Sequence, residues 1–265
     1  MRINVIDDLK RKLFAGLIPM LLMAGAESAA REESLPLNSS NTQETGHLDS
    51  TECVILLHGL ARSHRSMSPL EKALREQGYQ VVNSEYDSLA APIETLALTA
   101  IDQAVAECPT AASPIHFVTH SLGGILVRQY AQLKPSAAIG RVVMLGPPNQ
   151  GSELVDQFAK LPGFDRLNGF AGRQLGTTAD STPNQLPAVN FELGVIAGSK
   201  SINPLLSYFL PGKDDGKVSI GSTKLDGMKE HLVLPTTHTF MMRNSQVIAQ
   251  VNHFLSKGEF LPSNP

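Results

Sequence analysis

The chain has 265 residues, 42% of them hydrophobic and 18% charged, which suits one globular domain with a sizeable core plus a leader. Its formal net charge of -3 gives no basis for nucleic-acid binding. With no Trp and 5% aromatic residues, it also lacks the rings that a base-stacking platform needs.

The N-terminus differs in kind from the rest. Lys10, Arg11 and Lys12 precede an apolar stretch, Leu13 to Ala26, that is too short to span a membrane and has small residues at Ala24 and Ala26. This pattern predicts a secretory signal peptide over residues 1–26 and hence a periplasmic or secreted protein. Asp7, Asp8 and Pro19 favour the alternative, an ordinary helix on a cytoplasmic protein. No Cys follows the apolar stretch, which argues against a lipoprotein anchor. Residues 27–49 are polar and read as a disordered linker.

From residue 50 onward, strand and helix patterns alternate. Cys53 to Leu57 is a continuous apolar run, as in a strand buried on both faces. Ser68 to Gln77 reads as a helix, with Pro69 at its start and Gly78 after its end. Tyr79 to Asn83 is the next strand. Ile93 to Glu107 is a helix with Ile93, Leu96, Ala97, Ala100, Ile101, Ala104 and Val105 on one face. A strand at Ile115 to Val118 leads into a helix at Leu122 to Leu133. Further strands are predicted at Val142 to Leu145, Leu193 to Ala197 and Leu232 to Leu234, and a closing helix at Val247 to Leu255. Such alternation over 50–258 predicts a mostly parallel sheet with right-handed crossovers and helices on both faces, followed by a tail at 259–265. The segment 149–190 is too long for a simple connection. It holds Phe158, Leu161, Phe164, Leu167 and Phe170 and reads as a small cap insertion, the alternative being a packed loop.

Three sites carry the chemistry. Thr119-His120-Ser121-Leu122-Gly123-Gly124 lies between a strand and a helix, where a sharp turn can lift a Ser hydroxyl above a sheet. The usual pattern is G-x-S-x-G; Gly123 fits it, whereas Thr119 replaces the first Gly. His58-Gly59-Leu60 ends the first strand, where a turn can aim a backbone N–H at a developing oxyanion. Downstream come the turn Asp214-Asp215-Gly216 and, after the last strand, His238, so the order is Ser, Asp, His.

Five segments together resemble bacterial lipases and esterases of the α/β-hydrolase superfamily. They are Val54 to Leu60, Val118 to Gly124, Leu145 to Ser152, Asp215-Gly216-Lys217-Val218, and His238. The third resembles the Pro-x-x-Gly-Ser segment of many lipases, and the fourth the Asp-Gly-x-Val segment that carries the acid. The resemblance covers roughly residues 50 to 258 and implies an α/β-hydrolase fold and a cofactor-free serine hydrolase acting on small-molecule or lipid esters, with transient contact to a lipid interface.

The resemblance assigns Ser121 as nucleophile, His238 as base and Asp215 as the acid that orients it. Asp214 rivals Asp215, Asp226 is a weaker candidate, and Asp87 precedes Ser121 and is out of order. The backbone N–H groups of Leu60 and Leu122 would form the oxyanion hole, with His58, Gly59, His120 and Gly123 supporting the turns. Of the remaining His, His47 falls in the linker, His231 on the far side of the last strand and His253 within the last helix, while His64 and His116 lack a suitable context. No metal-binding spacing and no phosphate-binding Gly loop is present in the sequence, so no metal and no cofactor is expected. In the resembled fold the strands leading to His58 and Ser121 are neighbours, which leaves two states open for Cys53 and Cys108: a disulfide, favoured by export, or two buried free thiols. An acyltransferase using the same three residues, or a non-catalytic binding protein of this fold, are the alternatives.

Overall fold

The computed structural model describes residues 52–262, so the expected signal peptide at 1–26 and linker at 27–49 lie outside the described residues. Six strands, β1 (Cys53–Leu57), β2 (Gln80–Asn83), β3 (Ile115–His120), β4 (Ile139–Leu145), β5 (Leu193–Gly198) and β6 (Glu230–Leu234), form one sheet. Its order is β2-β1-β3-β4-β5-β6, and every neighbouring pair is parallel. Helices α1 (Ser68–Glu76), α2 (Ile93–Glu107), α3 (Leu122–Leu133) and α8 (Ser245–Lys257) flank it. Between β4 and β5 lie three short helices, α4 (Glu153–Phe158), α5 (Phe164–Arg173) and α6 (Thr182–Gln185), and between β5 and β6 lies α7 (Pro204–Ser207).

Strand alternation sorts the apolar side chains into two layers. Cys53, Ile55 and Leu57 of β1 join Phe117, Val142, Met144, Leu193 and Val195 against Ile101 of α2 and Ile125 and Leu126 of α3. Val54 and Leu56 join Val118, Val143, Leu145 and Ile196 against Leu70 and Leu74 of α1 and Val251 and Phe254 of α8. The central strands are therefore apolar on both sides, which is why they read as unbroken runs. Burying each large aliphatic side chain contributes about 1.5–3 kcal/mol.

Strands β3, β4 and β6 extend past their predicted ends, where polar residues are buried or paired. β3 continues through Thr119 and His120, both fully buried. β6 begins at Glu230, whose carboxylate accepts the Phe260 N–H at 2.7 Å, and continues into His231, whose Nε2 lies 2.8 Å from the Thr223 hydroxyl. At the start of β4, Arg141 reaches the Glu192 carboxylate and the Leu255 carbonyl. Glu230 and Arg141 find their partners far along the chain, so local hydropathy gives no sign of these strand ends.

Cys53, at the start of β1, is bonded to Cys108, which follows α2. The bridge lies at the N-terminal edge of the sheet. Near the C-terminus, Phe260 packs on Phe254 and the Leu261 N–H donates to Gln250, so residues 260 and 261 of the expected tail are attached to the domain.

The segment 149–190 is helical and anchored at several points. Arg128 of α3 is buried and donates to the carbonyls of Asn149, Pro183 and Leu186, near both ends of the segment. Burial without an acidic partner pushes this guanidinium down to about 10. The Gln174 side chain accepts the Ile93 N–H at the start of α2. A Cβ added to Gly172 would meet Leu60 Cδ2 at 3.0 Å, so α5 lies against the turn that follows β1.

Candidate active site

A parallel sheet delivers all its strand ends to one edge, and ligands of such sheets bind beyond the carboxyl ends of the strands. His58 follows β1, Ser121 follows β3, Gly146 follows β4 and His238 lies beyond β6, so these residues share that edge.

Ser121 joins β3 to α3 with φ 53° and ψ -119°, a conformation L-residues rarely adopt. Such backbone strain costs about 1–3 kcal/mol and persists only where the surroundings enforce it. Here the Ser121 N–H donates to the Leu145 carbonyl at 2.9 Å, and its carbonyl accepts the Gly124 N–H at 3.0 Å. A Cβ on Gly123 would lie 2.6 Å from the Leu57 carbonyl oxygen, so the elbow helix closes on β1 only without a side chain there. Leu122, the first residue of α3, is fully buried.

The His58-Gly59-Leu60 turn abuts this elbow. A Cβ on Gly59 would meet His120 Nδ1 at 2.8 Å and Ser121 Cβ at 3.1 Å. His58 is buried and stacks on Tyr86 at 4.1 Å between ring centroids, while the Tyr86 hydroxyl donates to the His58 carbonyl. Ala61, at φ 53°, donates its N–H to the Ser88 hydroxyl and completes the turn. Leu60 therefore sits between Ser121 and α5.

Asp215 and His238 meet at full burial. His238 Nδ1 lies 2.7 Å from Asp215 Oδ2, with His238 4% and Asp215 2% exposed. The other carboxylate oxygen, Oδ1, accepts the N–H groups of Lys217 and Val218 at 3.0 and 2.8 Å, which fixes the plane of the group. The His238 N–H also donates to the Asp215 carbonyl at 2.9 Å, so backbone and side chain are both registered to Asp215. Asp214 turns away: its Oδ1 accepts the Ser207 hydroxyl and the Gly216 N–H. Asp226 and Asp87 are exposed.

The other described imidazoles are engaged elsewhere. His64 pairs with Glu85, His116 Nδ1 accepts the Arg141 N–H, His231 meets Thr223, and His253 lies 2.8 Å from the Glu259 carbonyl. His47 lies outside the described residues. Among the described residues no group of three or more His, Cys, Asp or Glu is placed to hold a metal ion.

Two contributors escaped sequence reasoning. Gly146, at φ 55°, passes so close to the His–Asp pair that a Cβ there would stand 3.0 Å from both Asp215 Oδ2 and His238 Nδ1. It falls at the head of the segment Leu145 to Ser152, but nothing in the sequence gave it a role beside the His–Asp pair. Tyr86 lies in a loop with no motif around it, and nothing in the sequence marked it.

Such an arrangement can do a definite kind of chemistry. A strained Ser, a buried His oriented by a carboxylate, and two turns that bring backbone N–H groups to the same edge are the parts of nucleophilic acyl transfer.

The model of the alpha/beta hydrolase family matches residues 54–249, and the chain belongs to that family. Among solved structures, it is similar to the mature form of the Bacillus licheniformis lipase BlEst2, with 17% identity, a TM-score of 0.55, and coverage of 78% of this chain and 91% of that one. It is similar to Aspergillus fumigatus lipase B at 13% identity and a TM-score of 0.58, over 83% of this chain and 56% of that longer one. A thermophilic esterase gives 13% identity and a TM-score of 0.52, over 77% of this chain and 90% of that one. At these identities the likeness is one of fold. No curated protein matches the chain in sequence.

Proposed function

We propose that the protein is a serine hydrolase that cleaves carboxylic esters through an acyl-enzyme. The observation that carries this reading is the buried His238–Asp215 pair, at 2.7 Å, on the same sheet edge as a Ser121 held at positive φ. A Ser hydroxyl is a weak nucleophile until a base takes its proton. In this reading His238 removes the Ser121 proton as Oγ attacks the acyl carbon. Asp215 keeps the His238 proton on Nδ1, leaving Nε2 free for the reaction, and stabilises the imidazolium that forms. The N–H groups of Leu60 and Leu122 hold the oxyanion, a contribution on the order of 10²–10³ in rate per donor. His238 then protonates the leaving alcohol, and a water activated by His238 releases the acid.

The lipase and esterase neighbours make an ester the best-supported substrate class. The helical segment 149–190, pressed against Leu60, is suited to act as a cap that shapes the acyl site. Export fits the Cys53–Cys108 bridge, since disulfides persist in oxidising compartments.

Hydrolysis of p-nitrophenyl esters from acetate to palmitate tests the reading. The protein should turn over part of this series, and Ser121→Ala should remove that turnover by about 10⁴-fold or more with the fold intact. Turnover retained in a pure Ser121→Ala sample would overturn the mechanism.

A further inference from the structure

His120 takes no chemical part in the mechanism above, yet it links the nucleophile strand to the His58-Gly59 turn and to the loop of His238. It precedes Ser121 in the chain. Its Nε2 lies 2.9 Å from the carbonyl oxygen of His238, and its ring centroid stands 4.6 Å from that of His238. A Cβ on Gly59 would strike its Nδ1 at 2.8 Å. The ring is 2% exposed and thus wedged between the nucleophile strand, the His58-Gly59 turn and the loop that carries the base.

The hydrogen-bond pattern fixes its chemical form. The His238 carbonyl only accepts, so His120 Nε2 must carry a proton and donate. Among the described residues His120 Nδ1 has no hydrogen-bond partner. A second proton there would be a buried donor with nothing to receive it. The surroundings oppose that proton too: burial does so most, and His238, Arg62 and Lys217 add to it as positive or potentially positive groups. All hold the imidazole well below its ordinary range, even with the Asp215 carboxylate on the far side of His238.

We infer that His120 is a positioning residue: an imidazole whose Nε2–H, bonded to the His238 carbonyl, sets the distance between the base loop and Ser121. This rests on the reading of Ser121 as nucleophile and His238 as base. The bond holds His238 from the nucleophile strand, whereas both Asp215 contacts hold it from the β5–β6 connection. Without it, His238 stays paired with its acid but loses its register to Ser121. Neutrality also matters to proton traffic. A ring this close to His238 that accepted protons would compete with it for the Ser121 proton; burial and the lack of an acceptor for an Nδ1 proton disfavour that.

The test compares His120→Met, which fills similar space without a donor, with His120→Gln, whose amide can reach the same carbonyl. His120→Met should lower kcat about tenfold or more, since displacements near 1 Å can cost about 10²-fold, while KM stays nearly unchanged. His120→Gln should recover most of the loss. Equal loss in both variants, or no loss in His120→Met, overturns the proposal. A second readout requires neither variant nor turnover: ¹⁵N imidazole spectra of the unaltered protein. They should show His120 protonated on Nε2 alone and not titrating as the pH falls from 7 to 5.5. A His120 that titrates in this range, or carries its proton on Nδ1, overturns the proposal even if the ester reading stands. An unaltered protein without ester turnover sinks the ester reading and leaves the spectra to judge His120.

Discussion

Ser121 and Gly146 are where single residues decide most. Ser121 keeps a left-handed backbone because the Leu145 carbonyl, the bare Gly59 and the bare Gly123 leave it no relaxed alternative. Gly146 makes the same kind of accommodation for the His–Asp pair. Gly146→Ala combines a positive φ with a Cβ 3.0 Å from both Asp215 Oδ2 and His238 Nδ1. It should destabilise the fold by about 1–3 kcal/mol and lower kcat far more than it raises KM, which paired denaturation and steady-state kinetics would detect. An Ala variant with full kcat would show that the pair tolerates displacement. Thr119, the residue that departs from the G-x-S-x-G pattern, is fully buried with a hydroxyl that has no partner. The backbone of β3 accommodates it: Thr119 is still in the strand, registered with Leu57 and Met144, and the sharp turn begins only at Ser121.

At the scale of elements, apolar periodicity and motif order were enough to locate each strand and flanking helix of the sheet. The ends were not legible where polar side chains are buried, as at Thr119 and His120, or paired at long range, as at Glu230 and Arg141. The three short helices of 149–190 were illegible for a related reason. They are held by Arg128 of α3 and by the Gln174 contact to Ile93 of α2, and Gly169 breaks α5 with a non-helical backbone, so no helical period runs long enough to see. Motifs mark the positions of Ser121, Asp215 and His238; the choice of Asp215 over Asp214 rested on the Asp-Gly-x-Val resemblance alone, since the two are adjacent in the chain and differ only in direction. The pairing of Cys53 with Cys108 was open for a different reason. It joins elements separated by 55 residues. Replacing both with Ser should cost about 2–4 kcal/mol in denaturant unfolding. Ester turnover at 25 °C should persist, because the bridge lies at the opposite edge of the sheet from the candidate site. Turnover lost without loss of stability would contradict that separation.

For the whole molecule, the parallel sheet is what gathers distant segments into one site, and burial is what sets its response to pH. His58, His116 and His120 are buried, and desolvation lowers each from its ordinary value of 6.5. His231, half-buried, is lowered too and should contribute less. Each folded value lies below the unfolded one, so the unfolded chain takes up protons first as the pH drops. The stability they support is complete above pH 6.5 and is lost as the pH falls below it towards their folded values. The loss is at most about 1.4 kcal/mol per pH unit for each fully buried group. Urea unfolding between pH 7.5 and 5 should show this decline; a flat profile would mean that these imidazoles keep ordinary affinities for protons.

The central claim is that Ser121 is an activated nucleophile, and reaction with a fluorophosphonate probe followed by peptide mass spectrometry tests it most directly. The account predicts one adduct per chain on Ser121, formed far more slowly in His238→Ala and absent in Ser121→Ala. An adduct on another residue, or no adduct on a folded protein that still cleaves esters, would contradict it.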